Sequence, residues 1–595
     1  MSDRKKITKG QVIALLVALL LMVFGTIGNV LATTSSGKVK VRRVTFCDDE
    51  GKIVSGQLYI PNTATKDTPA PAVLTNHGGG ASSEAQSSYN IELSRRGFVV
   101  LSWDASNSGS SEKSSDATHG GEAAYDFIQS LDFVQKDQLA TSGHSMGGVY
   151  SYMIAQNHPD NVRLEVALGM NPGMNDVEVF DTNYACIIGE DDESSLVRCG
   201  GNILNMMTDA KYLQLFGLSE GEAIVPGQIY GDFEAGTGRV FYVPHSSHAG
   251  GMINPEYVQV YLDTVQSVLD APNPLPGSDQ VWMLKDFAMI AQFAGLVAFL
   301  FCLASMLLKT EAFSGLVLPE RKSVGFPAKS PAWWAAILIV MFLPTLLFIW
   351  GTTRAQVIDF TSFMKLDNTA NGFAIWSLIS ACALLVFFLI YHFGYGKKHG
   401  GNLMTYGLSS EAAANRIRIG YLGRAFAFAV TVIGGSYLAY IIMYCITCGD
   451  IHIWLATLRP VTLIRLPYFP LYFLLQFPFY LVGTLCGRSF SLNNGERSKG
   501  VGMRNSLLLS LLIGILGLSI IFIVFNIAFR TTGTVLFPEN RGYIYAGAIF
   551  SMLPAFAVGN TINCYVTNKT NSIYAGLFSA VLWSTWVMIA SNALA

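Results

Sequence analysis

Hydropathy divides the 595 residues into stretches of three different patterns. Residues 11–32 (QVIALLVALLLMVFGTIGNVLA) are almost wholly apolar and follow a basic start of Arg4, Lys5, Lys6 and Lys9. About 20 apolar residues cross a bilayer as a helix, so 1–35 reads as an uncleaved signal anchor. Val30-Leu31-Ala32 offers a cleavage site as the alternative reading. Across 38–270, short β-rich runs alternate with helical stretches. The pattern predicts strands at 72–76, 98–104, 138–142, 162–168, 184–188 and 239–243, and helices at 87–96, 120–133, 146–157 and 256–269. Such alternation implies βαβ units, a mostly parallel sheet and helices on both faces. A Pro-rich linker, 271–280, then leads into 281–595. There, eight further apolar segments lie near 287–308, 332–351, 373–394, 425–446, 467–487, 505–527, 543–565 and 572–593.

Charge sharpens this division. Residues 38–286 hold 15 Lys and Arg against 32 Asp and Glu, whereas the rest holds 24 against 9. The net charge of −2 thus hides an acidic, polar part and a basic, apolar one. The acidic part would repel nucleic acid, so no nucleic-acid partner is expected. Lys and Arg collect on the cytoplasmic side of membrane proteins. With the N-terminus inside, the inner segments carry 18 of them and the short outer loops only 6, namely Arg354, Lys365, Arg459, Arg465, Arg530 and Arg541. This orientation makes residues 38–270 and the C-terminus extracytoplasmic. The outer loop 449–468, with His452, Trp454, Arg459 and Arg465 among aliphatics, reads either as an interfacial helix or as a plain connector. The spans carry few ionisable groups; Gln292, Gln476, Asn526 and Asn560 are their main polar residues, which argues against an ion-coupled transporter. The nine cysteines match no zinc spacing, and the CxxC of Cys445 and Cys448 lacks a strand-turn-helix context.

Two motifs carry chemistry. Gly143-His144-Ser145-Met146-Gly147 fits G-x-S-x-G, but so does Gly217-Leu218-Ser219-Glu220-Gly221. A nucleophile elbow must follow a strand and open a helix. Ser145 meets that condition. Ser219 follows a helical stretch and reads as a turn. His77-Gly78-Gly79-Gly80 directly follows the strand at 72–76. In that place a glycine loop supplies an oxyanion-hole N–H, here from Gly78 or Gly79, with Met146 giving the other. Chains with this elbow then present Asp or Glu, and finally His. After Ser145 the acidic part holds only His158, His245 and His248. His158 reads as a helix cap. His248 is preferred as the base, with His245 as the alternative. The acid comes from the Glu190-Asp191-Asp192 cluster: Asp192 is preferred and Asp191 the alternative. A calcium site on 190–193 competes with a plain acidic loop.

These features resemble the α/β-hydrolase superfamily, and within it the branch of dienelactone hydrolases, acyl-peptidases and carboxylesterases. The resemblance runs through residues 56–61, 71–80 and 96–100, Asp104, Gly109-Ser110, residues 143–148 and 189–192, and His248. Dienelactone hydrolases proper use a cysteine nucleophile, so that specific activity is not expected here. The fold class that follows is an α/β-hydrolase domain joined to an all-α polytopic membrane domain. The resemblance implies serine chemistry with Ser145, Asp192 and His248 and no cofactor or metal. The substrate is expected to be a small-molecule, lipid or envelope ester, and membrane lipid is an expected partner. Acyl transfer, peptidase action, and a transporter or flippase carrying an accessory hydrolase domain are the other readings. Only a small lid fits between Asp192 and the last strand.

Overall fold

The computed structural model describes residues 6–170, 182–320, 324–411, 414–453, 456–489 and 502–595. Of the residues invoked above, Arg4, Lys5 and Trp454 lie outside these ranges. Helix α1 (Lys9–Thr33) leads into a nine-stranded sheet: β1 (Val39–Cys47), β2 (Ile53–Pro61), β3 (Ala70–Asn76), β4 (Val99–Trp103), β5 (Val134–His144), β6 (Val162–Leu168), β7 (Asn183–Ile187), β8 (Ile229–Tyr230) and β9 (Arg239–Tyr242). Its order is β1-β2-β4-β3-β5-β6-β7-β9-β8. The pairs from β4 through β3, β5, β6 and β7 to β9 are parallel, while β1–β2, β2–β4 and β8–β9 are antiparallel.

Alternation along the strands builds two cores, because successive side chains point to opposite faces. Ala72 and Leu74 of β3 pack with Ile128 of α3 (Gly121–Ser130) and Ile154 of α4 (Met146–Asn157). Val73 faces the other way, toward Tyr89 and Leu93 of α2 (Ser87–Arg95) and Leu262 and Val265 of α7 (Pro255–Val268). Between β7 and β9 lie α5 (Glu193–Leu196) and α6 (Ala210–Leu215). The chain after α7 is held to the domain: Arg96, fully buried, donates to the carbonyls of Pro276 (2.5 Å) and Asp279 (3.0 Å).

The remaining helices are α8 (Met283–Leu307), α9 (Pro331–Leu346), α10 (Phe348–Thr352), α11 (Arg354–Val357), α12 (Asn368–Tyr391), α13 (Ile419–Thr447), α14 (Phe469–Ser489), α15 (Gly502–Thr532), α16 (Gly542–Thr570) and α17 (Tyr574–Ser591). Among the described residues, eight helices including α1 are long and apolar enough to cross a membrane. A ninth candidate is the stretch from α9 to α11, bent by 42°. Pro344 sits just before that bend, and its carbonyl accepts from Trp376 Nε1 at 2.8 Å. Helix α1 packs on α8 through small residues: a Cβ on Gly25 would stand 2.8 Å from Ala288 O, and one on Gly295 2.9 Å from Ala18 O. Gln292 completes the seam, accepting from Asn29 Nδ2 (3.1 Å) and donating to Thr26 Oγ1 (3.2 Å).

Among its described residues, the segment 449–468 does not form an interfacial helix. Residues Ile451–Ile453 and Ala456–Leu458 form a small antiparallel hairpin, β10 and β11. Several of its polar groups bond to neighbouring protein. Ser591 Oγ accepts from Thr457 N (2.8 Å), and buried Arg465 donates to the carbonyls of Gly109 (2.6 Å) and Asn107 (2.8 Å).

Candidate active site

Strand β5 ends at His144 and α4 begins at Met146, so Ser145 alone makes the turn. Its backbone sits at φ 54° and ψ −118°, a conformation that costs a non-glycine residue of order 1–3 kcal/mol. So tight a turn requires glycine around it. A Cβ on Gly143 would lie 2.1 Å from the Gly147 carbonyl oxygen, and one on Gly147 2.6 Å from the carbonyls of Asn76 and His77. Ser145 N donates to Leu168 O at the end of β6 (2.8 Å). The serine itself stays half-buried, and Met146 beside it is 49% exposed.

The ends of β7 and β9 bring an acid and an imidazole to this turn. Asp192 caps α5, its Oδ1 accepting from Ser195 N (2.9 Å), while its Oδ2 accepts from His248 Nδ1 at 2.8 Å. With its proton on Nδ1, His248 keeps a lone pair on Nε2. The His248 ring lies 4.6 Å from that of His144, the residue before Ser145. His144 Nε2 is 2.9 Å from the His248 carbonyl and so must donate to it. The groups crowd over Gly169, where a Cβ would stand 3.1 Å from His144 Nε2 and 3.2 Å from both Asp192 Oδ2 and His248 Nδ1.

Burial penalises the charged form of both members of the Asp192–His248 pair, whose side chains are only 1% and 11% exposed. Their mutual attraction outweighs it. The Asp192 carboxyl is held below its ordinary range, and the His248 imidazole is raised by Asp192 and then by Glu193. Burial, reinforced by His248, pushes His144 down to about 3, so it acts as a fixed neutral donor. Burial raises Glu193. Sequence reasoning placed Glu193 only in a candidate calcium site or acidic loop, yet its Oε2 accepts from His248 N (3.1 Å).

The glycine loop after β3 runs against the elbow. His77 Nε2 accepts from Ala105 N (3.0 Å), which leaves the proton on Nδ1 to donate to Gly78 O (2.8 Å). Burial lowers the His77 pKa, in keeping with that neutral tautomer. A Cβ on Gly78 would lie 3.2 Å from Ser145 Cβ, and one on Gly79 3.1 Å from Met146 Sδ. A buried ion pair braces this loop and the one after β4. Asp104 Oδ2 meets Arg43 at 2.8 Å and accepts from Ser110 N (3.1 Å), while its Oδ1 accepts from Ser83 N (2.8 Å). Burial opposes ionisation of Asp104, but Arg43 holds it well below the carboxylate range. Gly109, at φ 53°, leaves room for that carboxylate; a Cβ there would stand 2.1 Å from Asp104 Cγ. The Arg43 partner is carried on β1 and has no local motif.

The other candidates go elsewhere. Asp191 pairs with Arg530 of α15 (3.2 Å), and His245, its side chain 80% exposed, pairs with Glu190. The four carboxylates at 190–193 therefore diverge instead of converging on a cation. Among the described residues no three His, Cys, Asp or Glu stand close enough to share a metal. His158 caps α4, pairs with Glu122 (2.7 Å) and stacks on Tyr125. Ser219 lies in a turn after α6, its N–H bonded to Glu222 (2.6 Å). Cys445 and Cys448 are free thiols at the end of α13.

Residues 71–182 match the family model described as alpha/beta hydrolase fold. Over 115 residues the chain is 30% identical to uncharacterized protein PA2218 of Pseudomonas aeruginosa, covering 18% of this chain and 31% of that protein. The chain thus spans under a third of that relative's length. The crystal structure of hypothetical protein PA2218 aligns at 28% identity and TM-score 0.21 over 23% of this chain and 44% of its own. A predicted CIB-like hydrolase from Thermoplasma acidophilum aligns at 16% identity and TM-score 0.28, over 39% and 98%. Esterase LipW from Mycobacterium marinum aligns at 15% and 0.30, over 43% and 90%. The matched segment carries β3 through β6 with the elbow between them, so the part of the chain built on this sheet has the alpha/beta hydrolase fold.

Proposed function

We propose that the chain is a membrane-bound serine hydrolase that cleaves an ester on the extracytoplasmic side. The observation that carries this reading is the Asp192–His248 pair standing beside the strained elbow at Ser145. Ser145 Oγ attacks the ester carbonyl carbon while His248 Nε2 takes its proton. Asp192 holds the imidazole in the required tautomer and stabilises the imidazolium. The oxyanion is met by N–H groups of Gly78 or Gly79 and of Met146, the last free because the first N–H groups of a helix lack intrahelical partners. Collapse breaks the C–O bond, and the alcohol leaves with the proton from His248. Water, deprotonated by the same imidazole, then releases the acid and regenerates Ser145.

The sidedness rests on charge and contact together. Arg465 and Arg530, assigned to outer loops by the Lys and Arg bias, both bond to the hydrolase domain. So does the C-terminus, where Leu594 N donates to Asn107 O (3.0 Å).

A fluorophosphonate probe applied to the full chain in membranes labels a single peptide, the one containing Ser145. No labelling, or labelling at Ser219, overturns the assignment. The base must be neutral to act, and Asp192 and Glu193 raise His248 above the ordinary 6.5. Activity therefore climbs with pH through a midpoint above 6.5. Asp192→Asn removes the charge that favours imidazolium, so the residual activity of that variant has its midpoint shifted down. A midpoint left unmoved would place the titrating group elsewhere.

A further inference from the structure

We infer that the cavity inside the helical bundle receives the hydrocarbon tail of a long-chain ester whose carbonyl lies at Ser145. This rests on the serine-hydrolase reading and names its substrate class.

The catalytic edge of the sheet faces the bundle. The elbow lies at the carboxyl end of β5, and loops from the same edge on both sides of it are tied to membrane helices and their outer connections. After β3, Ser82 Oγ meets Asp450 Oδ2 at 3.3 Å and Glu84 meets Lys285 of α8 at 3.2 Å. After β4, Asn107 and Gly109 receive Arg465. After β7, Asp191 meets Arg530, and Gly201 packs so closely on Gly533 that a Cβ would stand 2.4 Å from its carbonyl oxygen. Loops on both sides of the elbow are thus clamped to the outer end of the bundle.

A packed apolar cluster joins the hydrolase domain to the bundle. Met252 and Tyr257 of the hydrolase domain share one buried cluster with Phe348, Phe373, Trp376 and Tyr545 of the bundle. Trp376 also lines the cavity, whose walls come from α9, α12, α14, α15 and α16. Helix α16 gives the scale. A Cβ on Gly547 would lie 3.5 Å from Glu193 Oε1, and Glu193 holds the His248 amide. Phe556, nine residues further along the same helix, lines the cavity, about 14 Å away at 1.5 Å per residue. An extended alkyl chain covers that distance, whereas the acyl group of a short ester does not.

The lining also selects for such a chain. Met341, Trp376 and Phe556 supply apolar wall, Ser510, Asn560 and Asn563 supply polar groups that bond within the protein, and no Asp, Glu, Lys, Arg or His contributes. Charged cargo would be stranded there without a counter-charge. An alkyl chain would restore the contacts that unfilled apolar walls forgo. Gly483 belongs to this lining, and a Cβ added to it would meet nothing within 4 Å, so a larger residue there occupies free space.

The test uses the full chain in nanodiscs and two probes for Ser145, ethyl and hexadecyl fluorophosphonate. The hexadecyl probe labels the natural chain faster than the ethyl probe. Gly483→Leu slows hexadecyl labelling about tenfold, the effect of losing burial of roughly two methylenes, and leaves ethyl labelling unchanged. Gly434→Leu, an equally open position on α13 outside the lining, changes neither rate. Wild-type hexadecyl labelling in Gly483→Leu overturns the tail site while leaving the serine assignment intact. Failure of the ethyl probe on the natural chain overturns the assignment beneath it. Should the leucine variant lose ethyl labelling as well, competition on the natural chain decides: hexadecanol slows the hexadecyl probe if the site exists, and has no effect on it if the site does not.

Discussion

Replacing Ser145 with alanine lowers kcat for a p-nitrophenyl ester about 10⁶-fold in the full chain and leaves KM within a small factor. The size follows from what the serine does: without Oγ there is no acyl-enzyme, and the intact Asp192–His248 pair has nothing to deprotonate but water. Removing the serine or the histidine of such a constellation costs nearly as much as removing all of it. Stability should not follow activity. Alanine at φ 54°, ψ −118° suffers the same backbone strain as serine, so Ser145→Ala unfolds at the same temperature. Ser145→Gly is equally inactive yet gains about 1 kcal/mol, because glycine adopts that conformation freely. Measuring kcat and Tm on the three proteins separates the two effects. A Ser145→Ala chain with a tenth of wild-type activity would remove the serine from the chemistry.

The elbow was legible because everything that makes it is local. Strand β5, the glycines at 143, 147 and 148, and helix α4 are contiguous, and each glycine answers to a close backbone approach. The central strands were legible because parallel strands buried on both faces leave plain apolar runs; 162–168 coincides with β6. Strand β1 escaped notice for the converse reason. It is an edge strand, half-exposed, and VKVRRVTFC carries two arginines. One of them, Arg43, crosses to Asp104, a pairing 61 residues apart that no window can see. Glu193 was hidden in a different way, since its role is to hold a backbone N–H in a loop 55 residues away. The segment 449–468 misled because its mix of aliphatics and cations suits a membrane surface as well as a protein one. Arg465 turned out to bond to hydrolase-domain carbonyls, and hydropathy carries no information about which partner is nearer. Residues 193–238, the stretch in which the sequence suggests a small lid, bury Met206, Met207 and Leu213 in one core with Phe525 and Phe529 of α15. The packing partner of this stretch is therefore α15, a helix long and apolar enough to cross a membrane, another long-range fact.

The choice between the two histidines after β9 yields the second large effect. His248→Ala reduces kcat about 10⁶-fold, close to the loss for Ser145→Ala, whereas His245→Ala stays within about threefold of wild type. They stand three positions apart, but their surroundings differ in kind. His248 is nearly buried, its Nδ1 on Asp192 and its amide on Glu193, with its ring against that of His144. His245 lies at the surface with Glu190, where water screens the pair and either partner is dispensable. The same contrast appears in the pH profile. His245→Ala keeps the rise through a midpoint above 6.5, because the group that titrates is untouched. His248→Ala abolishes the rise along with the rate. Asp192→Asn falls between them, losing about 10⁴ in kcat, because an amide at that position supports the wrong imidazole tautomer. If His245→Ala were the inactive variant, the acid would have to be sought at Glu190, and the 2.8 Å contact between Asp192 and His248 would be structural.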